Sequence, residues 1–208
     1  MAIYRAVEVE LPECQRLVDL SSIKRDFERC KDMCEKFIPS SFDNGLDRTV
    51  IDALATAIPV VYARPFNGGV RTRVNELLSE YDDDDLTLHK QIMEMRSKFS
   101  AHSVNGMEKE TVRVWLNPEE RGGRKINNVN AAANVLLALS GNEYAHIIRL
   151  CTKALAWVSG EFDTEASSLP AVILQHYTLH ELYEMEDQCT QSSGLEAVHK
   201  GRPRLKKS

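Results

Sequence analysis

Seven apolar positions spaced mostly three or four residues apart, Leu17, Leu20, Ile23, Phe27, Cys30, Cys34 and Phe37, commit the first part of this chain to one long amphipathic helix. The spacing follows the 3.6-residue turn, so all seven stand on one stripe that other elements must cover. Pro12 fits the first turn, where its missing N–H is of no consequence, and the run from Pro39 to Gly45 is read as the end of the helix. At 208 residues and 43% hydrophobic, the chain is long enough and apolar enough to bury a sizeable core as one domain.

The same period recurs further on. Leu46 or Asp47 opens a second helix through Ile51, Leu54, Ala55, Ile58 and Tyr62, which Pro59 is expected to kink or restart. Asn67-Gly68-Gly69 breaks the chain, and a shorter helix spans about Arg71 to Ser79. From Glu110 to Leu116 the order Thr-Val-Arg-Val-Trp-Leu alternates as a short strand does, with Val112, Val114 and Leu116 on one side. After a turn-rich stretch, Lys125 to Val129 returns as a brief second strand, making a hairpin positioned to cover a site. Asn142 is read as the cap of a helix through Ile147, Leu150, Leu155 and Trp157, and Pro170 as the start of another through Ile173, Tyr177, His180 and Tyr183. The expected architecture is mainly α-helical, a helical domain over 1–190 with a small hairpin insertion over 109–130, followed by a flexible basic tail over 191–208.

Chemistry concentrates on the helix that follows the acidic run Asp82 to Asp85. Those carboxylates suit a helix start, where they cap free N–H groups and meet the positive end of the dipole. With His89, they read as a solvated helix start. Leu86, Ile92, Met93 and Phe99 carry the apolar rhythm, with Leu88 and Met95 widening the face, and Ser103 to Gly106 supplies the stop. Near its end stand Arg96 and His102. A guanidinium offers phosphate a planar, permanently charged fork, and an imidazole moves protons near neutral pH, so the two together suit phosphodiester chemistry. Six residues of regular helix rotate about 240°, so His102 must leave the helix to turn back toward Arg96.

Tyr62-Ala-Arg64-Pro-Phe66-Asn-Gly-Gly69-Val70-Arg71, then His89, Met95-Arg96-Ser97-Lys98, Ala101-His102-Ser103-Val104-Asn105 and Glu108 together resemble a bacterial branch of the HEPN group of all-α proteins, over roughly residues 47 to 118. In that group an arginine followed after four to six residues by histidine, near a helix end, marks metal-independent ribonucleases. The resemblance implies that Arg96 binds phosphate, that His102 assists attack by the ribose 2′-hydroxyl, and that a homodimer completes a paired site. It also implies an RNA substrate, no cofactor or metal, and a defence or toxin-like setting. Tyr62, Arg64, Arg71, Lys98 and Asn105 form the accompanying ligand-binding set. Two other readings stay open: Arg64 and Arg71 pairing with acidic residues such as Glu94 or Glu108, and Lys98 facing solvent. Ser97 stands where the family commonly has Asn, His or Asp to orient the catalytic pair, a departure that bears on catalysis more than on fold.

The remaining features bound the alternatives. A net charge of −5 argues against a generally basic nucleic-acid binder and leaves room for a local cationic site. No apolar run approaches a membrane span, and Met-Ala-Ile-Tyr-Arg lacks the core of a signal peptide, so a cytoplasmic protein without membrane association is expected. Cys14, Cys30, Cys34, Cys151 and Cys189 are odd in number and lack a CxxC pair, which favours reduced thiols, with Cys30 and Cys34 as small core residues. His176, His180 and Glu184 share a face if one helix carries them, a weak zinc pattern without the glutamate that follows the first histidine in HExxH; a polar helix face is the simpler reading. Finally, Lys200-Gly-Arg-Pro-Arg-Leu-Lys-Lys207 resembles an AT-hook, implying DNA contact through Arg202 and Arg204 in a narrow minor groove. A non-catalytic interaction module touching nucleic acid through this tail is therefore the alternative to a nuclease.

Overall fold

A computed structural model describes residues 6–42, 47–67, 71–72, 74–101, 108–118, 123–135 and 139–185. Among them the chain is mainly α-helical with one two-stranded antiparallel sheet. The helices are α1 (Gln15–Phe42), α2 (Arg48–Ala63), α3 (Asp83–Ala101), α4 (Gly141–His176) and α5 (Leu179–Glu184), and the strands are β1 (Glu108–Leu116) and β2 (Ile126–Val135). Short 3-10 turns lie at Pro12–Cys14, Arg64–Phe66 and Asn75–Glu80.

The stripe on α1 is the spine of the core. Leu20, Ile23, Phe27, Cys30, Cys34 and Phe37 are all buried, and only Leu17 is half-exposed. Against them pack Ala55, Ile58, Val61 and Tyr62 of α2, Leu88 and Ile92 of α3, and Tyr144, Ile147, Leu150, Cys151, Ala154 and Val158 of α4. Each fully buried Leu, Ile or Phe contributes roughly 1.5–3 kcal/mol relative to exposure. Helix α4 runs antiparallel to α1: Phe37 meets Tyr144 with ring centroids 4.2 Å apart at one end, while Arg16 meets Glu161 at 2.6 Å and Glu13 meets His176 at 3.7 Å at the other. Helix α2 packs on α1 and carries α3 on its far side.

Several boundaries differ from the sequence reading. Helix α1 continues through Pro39 to Phe42, α2 passes Pro59 without restarting, and α4 contains Pro170 instead of ending before it. Ser140, and not Asn142, caps α4: its hydroxyl accepts from the Glu143 N–H at 3.4 Å and the Glu143 carboxylate accepts from the Ser140 N–H at 2.6 Å. The short helix expected over Arg71 to Ser79 is a 3-10 turn beginning at Asn75. Strand β2 is longer than expected and pairs along the whole of β1 from Glu108↔Val135 to Leu116↔Ile126, with Asn127 as the extra residue where the register shifts.

Candidate functional site

Helix α3 is anchored at both its start and its middle. At the start, the Asp82 carboxylate accepts from the Asp85 N–H at 2.9 Å, an N-cap. Asp85 is not solvated; its side chain is 3% exposed and is clasped by two residues of α4, His146, whose Nε2 lies 2.6 Å from Oδ1, and Lys153, which donates to Oδ2. Burial pushes the Asp85 carboxyl up, yet the hydrogen bonds from Lys153 and His146 outweigh it and hold it below the usual aspartate range. Its hydrogen bonds to Asp85 and Asp82 outweigh burial and raise Lys153.

One turn on, His89 is also buried, against the reading of a solvated helix start. Its ring sits among Tyr62, Phe66 and Tyr81, with centroids 5.8, 4.6 and 6.2 Å away, and its Nδ1 shares a hydrogen bond of 3.1 Å with the Tyr62 hydroxyl. Burial, with the nearby Lys90 charge, lowers its pKa, while burial pushes the Tyr62 phenol far up, so both groups are neutral at pH 7. Tyr62 is fully buried, so it acts on α3 through this bond.

Arg64 and Arg71 converge on one partner, which the sequence reading had placed elsewhere. Arg71 Nη1 donates to Asp26 Oδ2 at 2.8 Å and to Ser22 Oγ at 2.6 Å, and Arg64 Nη1 donates to Asp26 Oδ1 at 3.4 Å. The acidic partner is thus Asp26 of α1, which is largely buried, and not Glu94 or Glu108. Beside it, the buried Asp19 accepts from the Thr72 N–H at 2.8 Å and from Gln15 at 2.9 Å. Asp19, Ser22 and Asp26 recur at i, i+3 and i+7, a polar stripe next to the apolar one and the signal that sequence reasoning passed over. These bonds tie the segment after α2 to α1.

Arg96 occupies the last third of α3, seven residues and so two turns beyond His89, on nearly the same face. It is half-exposed, and its guanidinium makes no hydrogen bond or ion pair with a described residue. A cation there is favoured by the negative end of the helix dipole and is open to an anion. Ser97, in contrast, turns its hydroxyl back onto the Glu94 carbonyl at 2.8 Å. The backbone of Lys98 continues the helix. His102, Asn105, Arg202 and Arg204 lie outside the described residues, as does the side chain of Lys98.

The other candidates separate in space. Helix α4 ends at His176, and Thr178 caps the new helix that carries His180 and Glu184, so the three do not share one helical face. Among the described residues, no group of three or more His, Cys, Asp or Glu is arranged to hold a metal ion. Cys30, Cys34 and Cys151 are buried core thiols; hydrogen bonding of Cys30 to Cys151 and of Cys34 to Cys30, with burial, raises both α1 thiols well above the ordinary range. The hairpin does not cover α3, whose principal contacts are with α2 and α4, and both faces of the ribbon are exposed. No described helix is long and apolar enough to cross a membrane.

Fold and geometry thus define a mainly α-helical protein whose third helix presents an unpartnered arginine near its C-terminal end. In comparisons with known protein families, with curated proteins and with solved structures, the chain matches none.

Proposed function

We propose that this protein is a HEPN-like, metal-independent endoribonuclease or RNA-binding protein that works as a homodimer in the cytoplasm, in a bacterial defence or toxin-like role. The observation that carries the reading is Arg96: a half-exposed guanidinium, held on a helix anchored through Asp85 and His89, with no side-chain partner among the described residues. Arg96 grips a phosphate, His102 takes the proton of the ribose 2′-hydroxyl, and the hydroxyl oxygen attacks phosphorus, leaving a 2′,3′-cyclic phosphate and a 5′-hydroxyl end. Lys98 and Asn105 add contacts to the RNA backbone, while Tyr62, Arg64 and Arg71 hold the segments that carry the site.

The test is incubation of wild type, Arg96→Ala and His102→Ala with mixed RNA in EDTA, each variant first shown to melt as wild type does. Cleavage by wild type, with a loss in each variant on the order of 100-fold or more, is expected, as for removal of a general base or a principal charge stabiliser. Equal trace cleavage by all three proteins would defeat the nuclease reading. One observation favours the second reading, a non-catalytic module that contacts nucleic acid through Arg202 and Arg204: the Ser97 hydroxyl is spent on its own helix backbone and orients no catalytic pair. Under that reading, full-length protein binds A·T-rich duplex in a salt-dependent manner, and deletion beyond Lys200 abolishes the binding.

A further inference from the structure

The β-ribbon is amphipathic, and nothing in the chain covers its apolar face. The pairing places Val112 opposite Ala131, Val114 opposite Val129 and Leu116 beside Ile126 on one side, and Arg113 opposite Asn130 and Trp115 opposite Asn128 on the other. On the polar side, Trp115 Nε1 donates to Asn130 Oδ1 at 3.2 Å. On the apolar side, Val112, Val114, Leu116, Ile126 and Val129 are 72, 48, 69, 62 and 52% exposed. A two-stranded ribbon alone is at best marginally stable in water, so this face needs a cover.

The geometry points to a second copy of this chain, packed face to face on the first with the two ribbons antiparallel. Three observations select this occupant. First, area: the five residues leave on the order of 500 Å² of apolar surface per chain, so two copies bury about 1,000 Å², the lower bound for a specific interface. Second, shape: the face widens from the small Val112–Ala131 pair through Val114–Val129 to the large Leu116–Ile126 pair. An antiparallel partner centred on Val114 and Val129 sets large on small at both ends, whereas a parallel one sets large on large. Third, charge: the base of β1 carries Glu108 and Glu110, and the tip carries Arg124 and Lys125, which with Leu116, Asn117 and Ile126 line a cavity of about 360 Å³. Antiparallel pairing brings each acidic base to the partner's basic tip; parallel pairing opposes like charges.

Nine residues at about 3.4 Å make the ribbon about 30 Å long, so the two chains enter this contact from opposite ends. It therefore keeps the two Arg96 segments apart, and each chain's site stands by itself. The inference does not rest on the nuclease reading.

Sedimentation velocity of the full chain at tens of micromolar tests it. Wild type sediments as a dimer, and Val114→Asp or Val129→Asp raises the dissociation constant on the order of 100-fold by burying an unpaired charge. Asn128→Asp, on the opposite face, leaves the dimer intact. An unchanged thermal melt of the helices shows that the loss is not unfolding. For orientation, in a Cys14→Ser, Cys189→Ser background, chains bearing Val112→Cys cross-link oxidatively to chains bearing Leu116→Cys. A monomeric wild type would overturn the proposal, as would Val114→Asp and Val129→Asp chains that still dimerise; Leu116→Cys chains that cross-link to themselves would overturn the antiparallel arrangement.

Discussion

Asp85 shows how much one side chain contributes to the placement of α3. It is a buried carboxylate whose oxygens are taken by His146 and Lys153 from the neighbouring helix. Asp85→Ala leaves two α4 donors without their acceptor and is expected to destabilise the fold by about 3–5 kcal/mol, measured by urea unfolding. The pH dependence has a definite sign. Because the folded-state pKa of Asp85 lies below its unfolded value, the folded state binds fewer protons in acid. The associated stability is complete above the unfolded pKa and is lost as pH falls through the folded one. Unfolding followed from pH 6 down to pH 2 should show that part of the acid sensitivity reduced in Asp85→Asn. In the sequence, the four aspartates look alike as a helix start. What separates Asp85 is phase: it stands three residues before Leu88, four before His89 and seven before Ile92, on the buried stripe.

At the scale of elements, helix starts were more legible than helix ends. Asp47 caps α2, its side chain accepting from the Thr49 N–H at 2.8 Å, and Asp82 caps α3, as the residue chemistry foretold. For α4 the capping box belongs to Ser140 with Glu143, the S-x-x-E pattern, and Asn142 falls inside the first turn. Ser140→Ala is expected to lower stability by about 1 kcal/mol and to reduce the melting temperature by a few degrees, read by circular dichroism. Prolines misled for a consistent reason. Each removes one backbone hydrogen bond and disfavours helix by about 3 kcal/mol. Around Pro59 and Pro170 that penalty is offset by the burial of Ile58, Val61, Tyr62 and Leu169. Strand β2 was underestimated because Asn130 to Asn134 has poor intrinsic strand preference; pairing with β1 supplies what the residues lack.

For the whole molecule, the helical body and the ribbon are separable by their contacts. The helices share one core built on α1, while the strands pack chiefly on each other. Replacing residues 108–135 by a short Gly-Ser linker is therefore expected to leave the thermal melt within a few degrees of wild type while abolishing dimerisation, checked by calorimetry and sedimentation. A melt lower by 15 °C or more would show that the bundle depends on the ribbon. The apolar period in α1, α2 and α4 determined by itself that the chain is mainly helical, because a 3.6-residue repeat has one burial solution regardless of neighbours. It also determined the alternation of β1 and the position of Arg96 near the end of a helix. Only the tertiary structure decided that Arg64 and Arg71 meet at Asp26, that Tyr62 meets His89, that Asp85 faces α4, and that Arg96 has no partner among the described residues. Those facts depend on which faces of distant segments come together, and spacing along one segment carries no information about the face opposite it.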